Sequence, residues 1–284
     1  MKKDNAIGMF MGLFIGDALG APLEFLRPEE IKTPLTDMEG GGVHDTAIGE
    51  WTDDGAMAVA IADAYIHKQG FDPAEIAFNF KVWRKSGQFG TRNYLFDIGR
   101  TCSTAIDIMT TERPYAGSTD KYASGNGSIM RLAPIMLANH CNIPMAIAES
   151  VAVSLMTHGN KDVVQYTAAF VTETMRGDRA MEFNKQRNFN TRDGAQTKGT
   201  IMHAYNQAWR SVLQTDSFED ALVDAVNKGY DADTVGAVTG MLAGRIYGYD
   251  AMPKRWTSKL VQHDSLLAMA EKLYTLGEMN EEVC

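Results

Sequence analysis

Two runs of glycine at every fourth position constrain the fold of this 284-residue chain more than any other feature. The runs are Gly8, Gly12, Gly16, Gly20 and Gly236, Gly240, Gly244, Gly248. Glycine inside a helix costs about 0.5–1 kcal/mol relative to alanine, so such runs need a structural reason. A spacing of four keeps each run on one helix face, and a face without side chains lets another backbone approach closely. We therefore expect two antiparallel helices in contact, which bring Asp17 and Thr234 together.

Apolar residues elsewhere recur at intervals of three and four, whereas the alternation typical of strands is almost absent. This periodicity predicts a helix that starts at Asp53 and another that follows Ser217, a residue suited to an N-cap. Further helices are expected over residues 3–16, 73–86, 143–156, 161–176, 200–213, 234–247 and 260–276. We predict an all-α fold in one compact domain, residues 1–284, with the polar stretch 178–199 as a long loop or insertion.

Composition limits the kinds of partner that the chain can have. Hydrophobic residues make up 45% of it, which allows a sizeable core, and no apolar run is expected to reach the length of a membrane span. The first residues lack the features of a signal peptide, and Cys102, Cys141 and Cys284 are too scattered to suggest a disulfide framework. A formal net charge of −9 argues against non-specific binding to nucleic acid. We expect a cytoplasmic monomer.

Paired aspartates stand beside a threonine at the start of two expected helices. These groups are Thr52, Asp53, Asp54 and Asp231, Asp233, Thr234. Asp and Thr are common at helix N-termini, and for one such group alone capping is the better interpretation. Two groups of mutually repelling carboxylates favour a bound cation, and oxygen ligands select a hard ion such as Mg²⁺, Mn²⁺ or Ca²⁺. From spacing alone, capping and a two-metal centre both remain open.

A glycine-rich turn, Gly125-Asn126-Gly127-Ser128, precedes Met130. Consecutive N–H groups in such a turn can hold an anion, so backbone donors could bind a diphosphate in spite of the acidic surface. The same residue types also form ordinary turns. His158 precedes another expected helix, where a capping or packing role is more common than a catalytic one.

Taken together and in this order, these segments resemble the ADP-ribosylglycohydrolase family, including its dinitrogenase reductase-activating members. The matching residues lie at 12–24, 52–54, 97–99, 125–131, 157–158 and 231–248. They extend over nearly the whole chain, and the third acidic group with its glycine helix is the most specific of them. Arg245, where many relatives have a small residue, and the insertion 178–199 depart from the pattern and leave the substrate open.

The resemblance implies an all-helical fold with a binuclear Mg²⁺ or Mn²⁺ centre in a cleft. It implies that the metal ligands are Thr52, Asp53, Asp54, Asp231, Asp233 and Thr234. It places Glu24 beside the metals as a catalytic carboxylate or gate, and Asp97 is the second candidate for proton transfer. The implied substrate-binding residues are Gly125, Asn126, Gly127, Ser128, Met130 and His158.

The function implied is hydrolysis of the glycosidic bond between ADP-ribose and a modified protein, with arginine as the linked residue. Such cleavage passes through an oxocarbenium-like state, in which two metals about 3.5–4 Å apart can orient and polarise a water. One alternative keeps the fold and metals but acts on serine-, nucleic-acid- or O-acetyl-linked ADP-ribose. Another is a catalytically silent protein that binds ADP-ribose, although every acidic position of both groups is filled here.

Overall fold

Helix α1 (Lys3–Gly20) and helix α10 (Ala232–Tyr247) form the central pair of the fold and run antiparallel. A Cβ added to Gly12 would overlap the carbonyl oxygen of Gly240, and one added to Gly240 would overlap that of Gly12. The same register pairs Gly8 with Gly244, Gly16 with Gly236, and Gly20 with Ala232. The two glycine faces therefore touch backbone to backbone, which confirms the close antiparallel packing that their spacing predicts.

The computed structural model describes residues 1–177 and 198–281, and within them the chain forms twelve α-helices and no sheet. The other ten are α2 (Asp53–Lys68), α3 (Pro73–Ser86), α4 (Arg100–Ile108), α5 (Ala133–Ala138), α6 (Ile143–Thr157), α7 (Lys161–Arg176), α8 (Ile201–Gln214), α9 (Phe218–Val226), α11 (Lys254–Thr257) and α12 (His263–Glu281). Short 3₁₀ helices cover Ala21–Leu23, Pro28–Glu30 and Ile129–Arg131. The all-α prediction is confirmed. Most of the expected loop 178–199 lies outside the described residues.

The observed helix bounds differ from the periodicity in a few places. Helix α1 continues past residue 16 to Gly20, because this glycine packs on the backbone of Ala232 and the last turn stays buried. Ser217 caps α9 as expected, since its hydroxyl oxygen accepts a hydrogen bond from the backbone N–H of Asp220 at 3.0 Å. Helices α4, α5 and α11 were not predicted. Helices α5 and α11 have only 6 and 4 residues, too few to show a repeating pattern, and α4, although as long as α9, lacks a side-chain N-cap such as Ser217.

Helix α1 corrects one expectation from composition. By length and apolar content, the segment Lys3–Leu23 could cross a membrane, although no such run was expected. Its apolar part, residues 6–23, is buried inside the protein, where its glycine face contacts α10 and residues such as Phe14 contact the core. Its apolar character is thus accounted for by its central position, since a helix that is covered on every side is hydrophobic all round.

The end of α1 and the starts of α2 and α10 meet at one end of the central pair. Trp51, just before α2, packs edge-on against Phe14 of α1 with ring centroids 5.5 Å apart. Gly55 in the first turn of α2 has no room for a side chain, because an added Cβ would lie 2.6 Å from the Trp51 ring. This packing holds the start of α2 against α1, and it fixes the position of the acidic residues described next.

Candidate active site

The two acidic groups identified in the sequence face each other across the helix starts. Thr52 and Asp231 occupy the N-cap positions of α2 and α10, and neither side chain caps its helix. Instead the Thr52 hydroxyl lies 3.4 Å from Asp233 Oδ2, and the Thr234 hydroxyl donates to Asp54 Oδ2 at 3.3 Å. Residues about 180 positions apart in the chain therefore form one cluster of oxygen atoms, which capping alone does not explain.

Asp17, in the last turn of α1, holds the start of α2 in place. Its carboxylate accepts hydrogen bonds from the backbone N–H of Thr52 at 3.0 Å, the Thr52 hydroxyl at 3.0 Å and the N–H of Gly55 at 2.9 Å. Complete burial raises the pKa of Asp17 to about 7 in spite of these bonds. No role for Asp17 was predicted from the sequence. In the structure its hydrogen bonds position the start of α2, which carries part of the acidic cluster.

The carboxylates of the cluster lie close enough together to hold a cation. Glu24, Asp231 and Asp233 each place an oxygen within 4.8 Å of the other two. Burial, with the charges of Glu24 and Asp54, raises the pKa of Asp233 well above its ordinary value. Oδ1 of Asp54 is buried without a hydrogen-bond partner among the described residues. A donor set of oxygens with one unpaired and several repelling members fits a hard divalent cation.

Glu24 lies directly after the 3₁₀ turn that extends α1, and it faces two further titratable side chains. His44 Nε2 is 2.9 Å from Glu24 Oε2 and 3.6 Å from Asp97 Oδ1. Burial, reinforced by the charges of Asp97 and Asp231, raises the pKa of Glu24 to about 10. Glu24 therefore holds a proton at neutral pH when no cation is present, and it can deliver that proton within the cleft.

Asp97 stands between Glu24 and the metal-ligand candidate Asp53. Burial raises the pKa of Asp97 to about 6, and a hydrogen bond with the Asp53 side chain opposes the shift. Asp53 Oδ2 also accepts a hydrogen bond from the N–H of Gly99 at 3.2 Å, just before α4. The unpredicted helix α4 thus begins at the acidic cluster, and the segment before it carries Asp97 to the same site.

A cleft of about 530 Å³ opens above the cluster, a size suited to a nucleotide-sized ligand. Of the residues predicted to bind substrate, the ones that line it are Gly125, Asn126, Gly127, Met130 and His158. Ser128 is completely buried and does not line the cleft. The Asn126 amide donates to Asp231 Oδ2 at 2.6 Å, which ties the glycine-rich turn to the acidic cluster.

Two aromatic residues at the cleft wall have backbones in the left-handed region, which is rare for bulky side chains. Phe25 has φ 63° and Tyr230 has φ 60°. Two backbone hydrogen bonds join their segments. The N–H of Phe25 donates to the carbonyl oxygen of Tyr230 at 2.5 Å, and the N–H of Tyr230 donates to the carbonyl oxygen of Leu26 at 2.6 Å. The Phe25 side chain remains 64% exposed. Phe25 therefore combines a strained backbone with an exposed ring at the cleft, and its part in ligand binding can be tested.

Sequence reasoning missed several residues of the site. His44 lies in a loop without any periodic pattern, two residues after Gly42, and Asp17 is an isolated carboxylate in an apolar helix, without a second acid beside it to suggest a site. Arg100 and Lys198 also line the cleft and supply positive charge, with the Lys198 ammonium 4.9 Å from the Tyr230 ring centroid. Only their positions in space assign these residues to the site. Arg245 does not line the cleft and instead donates to the carbonyls of Met175 and Arg176 at the end of α7.

Comparison with known proteins agrees with this architecture. A family model described as ADP-ribosylglycohydrolase matches residues 1–283. The ADP-ribosylarginine hydrolase Tri1 of Serratia proteamaculans is 31% identical, over 96% of this chain and 80% of that protein. The ADP-ribosyl-[dinitrogen reductase] glycohydrolase of Rhodospirillum rubrum is 32% identical, over 94% of this chain and 97% of that protein.

A solved structure described as an ADP-ribosylglycohydrolase-related protein complex superposes with a TM-score of 0.82 at 31% identity. The match covers 97% of this chain and 98% of that one. Fold, motif order and sequence similarity thus agree over the full described length. The chain belongs to the ADP-ribosylglycohydrolase family.

Proposed function

We propose that this protein is a metal-dependent hydrolase that cleaves the glycosidic bond between ADP-ribose and an arginine of a modified protein. One observation carries the proposal: two acidic helix starts, distant in sequence, converge with Glu24 on the floor of a cleft of nucleotide size. Membership of a family of glycohydrolases supports the reaction class.

Six side chains are assigned to a binuclear Mg²⁺ or Mn²⁺ centre in this proposal. They are Thr52, Asp53, Asp54, Asp231, Asp233 and Thr234. When bound, such a centre supplies Lewis-acid polarisation of oxygens at the anomeric carbon. Asp17 would keep the α2 start in register by its bonds to Thr52 and Gly55, and Asn126 would orient Asp231 through its amide hydrogen bond.

Glu24 is the proposed proton carrier, with Asp97 as the second candidate. In the buried setting of the cleft, Glu24 can keep a proton on a carboxyl oxygen near neutral pH, as a general acid requires. His44 Nε2 lies 2.9 Å from Glu24 Oε2, and neither atom has a hydrogen-bond partner among the described residues, so a small rotation would let Glu24 exchange its proton with the imidazole. The proton would go to the leaving nitrogen as its bond to the ribose anomeric carbon breaks. A water would add to that carbon and return a proton to the carboxylate, which restores the starting state.

Arginine is the linkage that best suits the charge of the cleft. A guanidinium is cationic, and the Asp97 carboxylate, which lines the cleft and is not among the proposed metal ligands, would attract it. The diphosphate of ADP-ribose would lie toward the Gly125–Gly127 backbone, with Arg100 and Lys198 as nearby cations. The relatives named as an ADP-ribosylarginine hydrolase and an ADP-ribosyl-[dinitrogen reductase] glycohydrolase support a modified protein as substrate.

A side-by-side release assay tests the proposal. Arginine-, serine- and nucleic-acid-linked ADP-ribose and O-acetyl-ADP-ribose are each incubated with the protein, with Mg²⁺ or Mn²⁺ and with EDTA. We expect release from the arginine linkage with metal and none with EDTA. Release from another linkage alone would reassign the substrate, and binding of ADP-ribose without any release would support a silent binding protein.

The proposal includes a monomeric protein of the cytoplasm. The acidic net charge and the scattered cysteines support a reducing, soluble setting, and the buried Cys102 forms no disulfide. Light scattering of the purified protein and fractionation of the source cells test the two statements. A stable dimer or a membrane-bound pool would overturn the corresponding one.

A further inference from the structure

A buried arginine lies directly behind the glycine-rich turn of the cleft. Arg131, in the 3₁₀ helix Ile129–Arg131, is 0% exposed. Its Nη1 donates to the carbonyl of Gly127 at 2.8 Å, and its Nη2 donates to the Thr157 hydroxyl oxygen at 2.6 Å. None of the roles assigned so far uses this guanidinium. Because a guanidinium has only donors, it fixes the direction of every hydrogen bond that it makes.

The Thr157 hydroxyl is therefore an acceptor toward Arg131 and must donate its own hydrogen elsewhere. Nδ1 of His158 lies 2.8 Å from the same hydroxyl oxygen. The sulfur of Cys102 is the competing acceptor, but a thiol accepts weakly, and this one already faces Nη1 of Arg131 at 3.5 Å. The hydroxyl hydrogen consequently points at His158 Nδ1, and that nitrogen must be without a proton.

The His158 ring is neutral, because burial and the charge of Arg131 lower its pKa to about 3. A neutral imidazole carries one proton, so with Nδ1 as the acceptor the proton resides on Nε2. The Nε2 edge faces the glycine-rich turn, since a Cβ added to Gly125 would lie 3.2 Å from Nε2. This nitrogen makes no hydrogen bond within the described part of the chain, and His158 lines the cleft.

We infer that Arg131 and Thr157 form a relay that locks His158 in its Nε2-protonated tautomer and presents that N–H to an acceptor oxygen of the ligand. The inference rests on the proposed function for the identity of the ligand, ADP-ribose, whose phosphate and ribose oxygens are such acceptors. Arg131 and Thr157 are positioning residues, whereas His158 is the group that touches the ligand. The same guanidinium holds the Gly127 carbonyl, so the turn and the histidine are positioned together.

The tautomer can be read directly in the ligand-free protein. A long-range ¹H–¹⁵N correlation spectrum of histidine-labelled protein separates protonated from bare ring nitrogens, and the signals lost in His158→Gln identify the residue. We expect a proton on Nε2 and a bare Nδ1 at neutral pH. A proton on Nδ1, or a doubly protonated ring, would overturn the inference before Arg131 or Thr157 is changed.

Thr157→Val and Thr157→Ser test the relay as a matched pair. Valine keeps the shape but removes the hydroxyl, so we expect a mixture of tautomers and an ADP-ribose dissociation constant raised about 3- to 10-fold, the effect of weakening one hydrogen bond. Serine keeps the hydroxyl, and it should restore the Nε2 tautomer and near wild-type affinity. An unchanged tautomer and affinity in Thr157→Val would exclude the relay.

These readouts separate the relay from the proposed function. If the wild-type tautomer is as expected and depends on Thr157, but calorimetry detects no ADP-ribose binding to either protein, the relay stands and the proposed ligand is wrong. If ADP-ribose binds and is released while the tautomer is independent of Thr157, the proposed function stands and the relay fails.

Discussion

Glu24 illustrates how the environment of one residue separates catalysis from binding. Its carboxyl group lies 2.9 Å from His44 and within 4.8 Å of Asp231 and Asp233, and its pKa is strongly raised. If it handles a proton in the transition state, Glu24→Gln should lower turnover by about 10²–10⁴, the range for a lost general acid or base. Affinity for ADP-ribose should change far less, because the glycine-rich turn remains. A hydrolysis assay beside calorimetric titration measures both.

The matched control for this variant is Glu29→Gln, in an exposed 3₁₀ turn a few residues further along the chain. It should leave both quantities unchanged. Undiminished turnover in Glu24→Gln would remove Glu24 from the mechanism and leave Asp97 as the proton carrier.

Phe25 offers a test of whether backbone strain at the cleft serves binding. A phenylalanine at φ 63° stores strain on the order of 1 kcal/mol, whereas asparagine tolerates this conformation. Phe25→Asn should therefore increase the free energy of unfolding slightly while raising KM, because the exposed ring is lost. Gln69→Asn is the control, since Gln69 has φ 56° after α2 and does not line the cleft.

In the control we expect stability to rise without a change in KM. Urea unfolding and steady-state kinetics on the same preparations provide the comparison. If Phe25→Asn gains stability and keeps its KM, the strained aromatic has no part in ligand binding.

At this scale the sequence predicted residues that carry a local pattern and missed those that do not. Asp53 and Asp233 were identified because paired carboxylates beside a threonine occur at two helix starts, in segments that resemble one family. His44 and Arg131 have no such neighbours, and their importance depends on which side chains lie within 3–4 Å in space. Ser128 belongs to the predicted turn, but the turn faces its side chain inward, a direction that residue spacing does not reveal.

Among the helices, the contact of α1 with α10 depends most directly on single residues. Gly240→Leu should be strongly destabilising, because even a Cβ there would overlap the carbonyl oxygen of Gly12 and the two backbones would have to separate. Overpacking typically costs about 1–3 kcal/mol, and here the loss should reach or exceed the upper end. Ala268→Leu, the same kind of enlargement on an exposed position of α12, is the control.

Thermal unfolding followed by circular dichroism measures both variants. The separation of α1 from α10 would also move Asp233 away from Thr52, which Asp17 of α1 holds, so Gly240→Leu should lose activity at temperatures where it is still folded. A variant with wild-type stability would show that the helices can part without cost, contrary to the packing described here.

The bounds of a helix were predictable where the helix is long and begins after a clear N-cap residue. The bounds of α3 and α7 coincide with the periodicity, and each starts after a side chain that caps it. The short helices α4 and α5 form because neighbouring segments bury one face of them, as with Cys102 and Ala105 of α4. Such helices depend on tertiary contacts rather than on local sequence, which is why periodicity does not indicate them.

For the molecule as a whole, the acidic cluster makes the free energy of unfolding depend on pH, and a bound cation would change that dependence. The pKa of Asp97 rises from 3.8 to about 6, that of Asp17 from 3.8 to about 7, and that of Glu24 from 4.5 to about 10. These groups bind protons more tightly in the folded state than in the unfolded one. Their contribution to stability is therefore fully present below about pH 4 and is lost as the pH rises through the folded values.

The Tm of the metal-free protein should consequently fall between about pH 5 and about pH 9. Mg²⁺ or Mn²⁺ should reverse this trend, because a cation binds deprotonated ligands and stabilises the folded state more at higher pH. Thermal scans across this range, in EDTA and in excess metal, measure the two slopes.

Asp233→Asn should lose the stabilisation by metal, and its Tm in EDTA should fall less steeply with pH because one repelling charge is gone. Asp107→Asn, an exposed position on α4, should follow the wild type in both conditions. A metal-free Tm that rises with pH, or equal stabilisation of Asp233→Asn by metal, would contradict a cation site built from these carboxylates.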